Sequence, residues 1–222
     1  MLAESFSKSK IISGIGLIVI GILGRFFLIN YVGIPNFEII TALTLVSAVF
    51  LGRAWALVVP LSIIAITDAA IGNSPVMIFT WSAFAIIGIF GMLFKKYESR
   101  IVIARSRQQA ATKQSLFSHI TRKIASFPLV ARNGSRIVIG LTGVGIISSL
   151  FFFLYTNFGW WVMSNMYPRT LDGLIQCYIM GLPFFKNNLI GNLIFVPMAS
   201  GVVVLINDLR CRKFYGNLSY FK

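Results

Sequence analysis

Five stretches of 17 to 22 nearly uncharged apolar residues decide most of what this chain can become. A hydrocarbon core about 30 Å thick takes roughly 20 residues of helix to cross, so each run is tested by its length. The runs at 11–29, 55–71, 76–94, 137–158 and 189–206 all qualify. A sixth at 37–51 is short. It is retained because the basic segments flanking it then stay on one face, and a bundle tolerates a short span. The expectation is an all-α membrane protein, with one membrane domain over residues 1–222 and about six transmembrane helices in a bundle. The compartment expected is the cell (cytoplasmic or inner) membrane, crossed several times.

Charge sets the orientation. Lys8 and Lys10, Arg53, ten basic residues between Lys95 and Arg136, and Arg210, Arg212, Lys213 and Lys222 all fall on one side of a six-span arrangement. Only Arg25, Arg169 and Lys186 fall on the other. The positive-inside rule therefore places both termini in the cytoplasm. A formal net charge of +14 raises the question of nucleic acid. Because the charges lie between or beyond the apolar runs, their partners are instead anionic headgroups of the bilayer, and no nucleic acid is expected. The first apolar run has no small-residue cleavage site behind it and reads as a retained helix.

Two polar connections are long. The cytoplasmic one, 95–136, is expected to be a basic loop with an amphipathic helix, since Leu116, Phe117, Ile120, Ile124 and Phe127 recur at helical spacing before Pro128 ends it. It reads either as a solvated loop or as a docking element for a partner or for anionic lipid. The outer one, 159–187, carries Tyr167 and Arg169, then an apolar stretch interrupted by Gly181 and Pro183. That stretch is too short to span, and a re-entrant, lid-like or interfacial segment is expected.

Enzymatic chemistry finds little to work with. His119 is the only histidine, and no Cys, Asp or Glu cluster surrounds it. There is no phosphate-cradling glycine loop, zinc-protease helix or nucleophile elbow, so no catalytic residue, metal or cofactor is expected. Cys177 and Cys211 fall near opposite faces and form no intramolecular disulfide on this reading.

The ionisable groups near the membrane tell more. Arg25, Asp68 and Glu38 each lie about one helical turn from the outer end of their helix, Glu38 in the first turn of the second. Charge at that depth is expensive unless paired or hydrated. Two readings stay open: a substrate site, or a structural Arg–carboxylate bridge. Asn36, Trp81 and Asn157 reach the same level, and Tyr167 and Arg169 lie in the segment above it. Gly14, Gly21 and Gly24 let another helix approach the first closely, within the chain by default.

Several segments together resemble an uncharacterised bacterial family of transport-type membrane proteins, allied to the substrate-binding S components of energy-coupling-factor transporters. They are IPNF (34–37) leading into 41–50, TDAAIG (67–72), TNFGW (156–160), YPRTLDG (167–173) and LPFFKNNLIG (182–191). The resemblance implies a six-helix bundle that holds a small molecule near its outer face, beneath the loops joining helices one to two, three to four and five to six. It also implies a coupling membrane protein and ATPase subunits as partners. S components dock that partner through an Ala-x-x-x-Ala stripe on helix one, where this chain has glycines. The function expected is a substrate-binding subunit for uptake of a small polar or vitamin-like molecule, with Arg25, Asn36, Glu38, Asp68, Trp81, Asn157, Tyr167 and Arg169 at its site. The alternative is a non-transporting scaffold or sensor acting through the basic loop.

Overall fold

The computed structural model describes the backbone of residues 7–72, 75–112 and 118–219, with side chains for 7–72, 75–101 and 134–209. Among the described residues all regular structure is helical. The six helices are α1 (Lys8–Phe27), α2 (Ile40–Val46), α3 (Trp55–Ile71), α4 (Met77–Thr112), α5 (Ser118–Met163) and α6 (Leu171–Ser219). Wider turns prolong α1 through Leu28–Val32 and α2 through Ser47–Leu51. Four helices are long and apolar enough to cross a membrane, at Lys8–Val32, Met77–Ile101, Gly134–Met163 and Leu171–Leu209; Ile40–Leu51 and Trp55–Ile71 are shorter.

Burial explains why α2 gave the weakest signal. With its added turn it is 12 residues, about 18 Å, and too short to span alone. Every residue from Ile40 to Val46 is buried, because α1, α3, α4, α5 and α6 all pack against it. A helix enclosed in this way needs no polar face. Its hydroxyls are satisfied internally, Thr44 donating to the Ile40 carbonyl at 2.7 Å and Ser47 to that of Thr44 at 2.9 Å. Around α2 the others run in the order α1, α3, α4, α5, α6, and α1 and α6 make at most a marginal contact among the described residues.

Gly14 and Gly21 of α1 face inward. A methyl group on Gly14 would lie 2.0 Å from the Trp55 ring, and one on Gly21 would lie 2.3 Å from Ile63. α3 therefore occupies the stripe, the internal packing that was the default expectation. The opposite face of α1 exposes Ile12, Ile15, Val19 and Leu23, an apolar stripe suited to lipid.

Two expectations are corrected. Residues 95–112 and 118–136 are helix rather than loop: α4 runs on to Thr112 and α5 begins at Ser118. Residues 95–112 contain no Gly or Pro and are rich in Lys, Arg, Glu, Gln and Ala, so the helix has no reason to stop where the apolar run does. Pro128 lies inside α5 rather than at a helix end. Of the expected amphipathic set, Leu116 and Phe117 lie outside the described residues, as do the side chains of Ile120, Ile124 and Phe127.

Nor is 159–187 a separate re-entrant or lid segment. α5 continues to Met163 and α6 starts at Leu171, leaving only a short turn. Thr170 starts α6, its hydroxyl accepting the Gly173 N–H at 3.2 Å and its carbonyl that of Leu174 at 3.0 Å. Gly181 and Pro183 then fall inside the helix. A proline there forfeits one backbone bond without ending a long helix supported by its neighbours.

Candidate functional site at the loop end of the bundle

The connections α1–α2, α3–α4 and α5–α6 meet at one end, where Asn36, Val76, Met166 and Tyr167 line a single cavity of about 580 Å³. A second cavity of about 360 Å³ adjoins it. Arg25, Asn36, Thr80 and Phe152 line both, so the two are lobes of one space. Each lobe has the size of a small-ligand site.

The first polar element grows out of α1 and α3. The last full turn of α1 presents Arg25 to the end of α3, where its guanidinium donates to the Thr67 hydroxyl and meets the Asp68 carboxylate at 2.7 Å. The Thr67 hydroxyl in turn donates a hydrogen bond to the Ile63 carbonyl at 2.7 Å. The other Asp68 oxygen accepts the indole N–H of Trp81, from α4, at 2.9 Å. Asp68 is buried, with 8% of its side chain exposed, whereas Arg25 keeps 21%. Three helices thus fix one guanidinium from behind while it remains in the wall of both lobes. Removing one partner of a pair this buried typically costs about 3–5 kcal/mol, because the other is left uncompensated.

Glu38 does different work. It precedes α2 rather than occupying its first turn, correcting the expected register. Its Oε2 accepts the backbone N–H groups of Ile40 and Thr41, the latter at 3.1 Å. Its Oε1 accepts the Thr41 hydroxyl at 2.6 Å and the Asn188 amide at 3.4 Å. This is a helix cap, and negative charge there also complements the helix dipole. Asn188 links the cap to Asn192, whose amide donates to it at 3.2 Å and to Ser149 at 2.7 Å.

The remaining expected residues divide. Asn36, the only described non-glycine residue with positive φ (58°), lines both lobes. Asn157 and Tyr167 line the larger one. Asn157 also serves packing: its amide donates to Phe153 at 2.8 Å, and its oxygen lies where a methyl group on Gly181 would be, 2.3 Å away. Asp68 and Trp81 stand behind Arg25 and are not in the lobe walls. Arg169 is not brought to the cavity. Its guanidinium lies 5.7 Å from the Trp161 ring centre, a cation–π contact within the α5–α6 turn.

Sequence reasoning missed Thr67, Thr80 and Asn188, together with the wall formed by Phe152, Met180 and Phe184. Thr67 and Asn188 fall inside the TDAAIG and LPFFKNNLIG segments, which was the available signal. Thr80 and Phe152 gave none, since a single Thr or Phe in an apolar helix is ordinary. Among the described residues no group of three His, Cys, Asp or Glu side chains is placed to hold a metal ion.

A family model described as a family of unknown function, DUF6580, matches residues 6–214. Neither a curated protein nor a solved structure matches the chain.

Proposed function

The chain belongs to the DUF6580 family, and we propose that it is a substrate-binding membrane subunit for uptake of a small polar or vitamin-like molecule. The observation that carries this reading is Arg25: a cation held from behind by Thr67 and Asp68, yet lining both lobes of a cavity of ligand size. A purely structural bridge would need no such space beside it. Six crossings with both termini in the cytoplasm put this end outside, since the basic segments then all lie within. On this reading substrate arrives from outside, and energy comes from separate coupling and ATPase proteins because the chain has no nucleotide motif. Gly14 and Gly21 are covered by α3 and Gly24 by Ile39, so on this reading a coupling protein docks on another face of α1.

The alternative of a scaffold or sensor draws on the basic, helical extensions of α4 and α5 beyond the apolar core. Native mass spectrometry of protein gently extracted from its own membranes separates the two. The uptake reading expects a retained small molecule together with coupling and ATPase subunits. An empty protein carrying only a cytoplasmic regulator would favour the scaffold.

A further inference from the structure

Glu38 and Asn188 line only the smaller lobe, and Trp160, Met180 and Phe184 only the larger, a division that bears on what kind of molecule fits. This step rests on the uptake reading and names the substrate class. Arg25 is the only Lys or Arg among the described residues lining either lobe. Thr67 and Asp68 take N–H groups from its two terminal nitrogens, and a guanidinium carries five. Those bonds hold the plane of the fork in place, so a ligand oxygen meets a donor that has no further rotamer freedom to lose.

The carboxylates point to the sign of the ligand. Glu38 is bonded through both oxygens to backbone and hydroxyl groups in the first turn of α2 and to Asn188. Asp68 is bonded to Arg25 and Trp81. An ammonium group entering here would have to compete for acceptors already engaged, and would meet Arg25 as a like charge. A dianion such as a phosphate monoester would bring a second negative charge to a lone cation already paired with Asp68, with Glu38 in the wall of the smaller lobe. A single carboxylate suits the remaining donors with the least repulsion, through a charge-assisted bond. Beyond Arg25, the larger lobe is walled by Phe152, Trp160, Met180 and Phe184, surfaces that favour a flat apolar body.

We infer that the cavity takes a monocarboxylate with a planar apolar body, the carboxylate on Arg25 and the body in the larger lobe.

Three probes of one shape isolate the charge: indole-3-acetate, indole-3-acetamide and tryptamine, titrated calorimetrically into the full chain in lipid nanodiscs. The acetate is expected to bind about ten-fold or more tighter than the other two, the scale of one charge-assisted hydrogen bond. Arg25→Lys retains a cation beside Asp68 but loses the fork, and should bring the three probes to within about three-fold of one another. Phe184→Ala should weaken all three and preserve their order. It keeps the test decisive if Arg25→Lys does not fold. Equal binding of the three, tighter binding of tryptamine, or binding of none overturns the inference. A molecule retained from native membranes that lacks a carboxylate also overturns it while leaving the uptake reading intact. No retained molecule and no coupling partner would remove that reading instead.

Discussion

The two ends of this bundle handle charge in opposite ways. At the loop end, Arg25 and Asp68 meet at 2.7 Å with the carboxylate buried, and Trp81 and Thr67 complete the set. At the basic end, Arg136 and Glu98 stand 3.7 Å apart with 29% and 18% of their side chains exposed. Many further Lys and Arg residues lie on the helical extensions beyond. Where water is scarce each charge needs a partner, whereas near water charge can be repeated along a helix at little cost. One end is organised around a single guanidinium, the other around sheer number of cations.

Substitutions can break this comparison, and the largest effect belongs to Asp68. Asp68→Asn should destabilise the protein by about 3 kcal/mol or more, because Arg25 loses its counter-charge in a mostly buried setting. Thermal unfolding in detergent measures this. A change below about 1 kcal/mol would mean that the pair is solvated and that the contrast between the ends is wrong.

Gly14→Ala comes next. The added methyl group meets the Trp55 ring, so overpacking should cost about 1–3 kcal/mol. Gly16 has open space at the same point, and Gly16→Ala should be neutral or slightly stabilising. Equal effects of the two would contradict the packing of α1 on α3.

Glu38→Gln tests whether the second carboxylate is a cap rather than a partner of Arg25. It should lower stability by about 1 kcal/mol, in the range of cap losses and well below Asp68→Asn. A cost matching that of Asp68→Asn would make Glu38 part of the ion pair. The smallest effect is expected at the other end, where Glu98→Gln should cost under about 1 kcal/mol, read in the same unfolding assay and weakening with salt.

How much of this was legible in the sequence varies by element. The sequence expectation for α3, 55–71, coincides with its observed limits, because an apolar run whose one charge is Asp68, bounded by glycines at 52 and 72, leaves little choice. α2 was read as a marginal span, since sequence periodicity reports apolar length and not that five neighbours enclose it. The 95–136 and 159–187 segments were misread for opposite reasons. In the first, charge was mistaken for a break in helix. In the second, Gly181 and Pro183 were mistaken for one, though both sit inside α6. Depth reasoning brought Arg25 and Asp68 together because an unpaired charge there is costly. Arg169 was expected at the site only from its place in the outer segment and the YPRTLDG motif, whereas its position is set by a seven-residue turn and the nearby Trp161 ring. Depth reasoning missed Asn188, which reaches Glu38 from 150 residues away.

The central claim is that a guanidinium anchored by Asp68 serves a ligand cavity. Electron cryomicroscopy of the protein, purified from native membranes without added ligand, tests it most directly. The account predicts the Arg25–Asp68 contact intact, with non-protein density touching Arg25 in the space shared by Asn36, Thr80 and Phe152. Arg25 and Asp68 turned to separate helix-packing or lipid-facing surroundings, with no cavity between α1, α4 and α5, would contradict it.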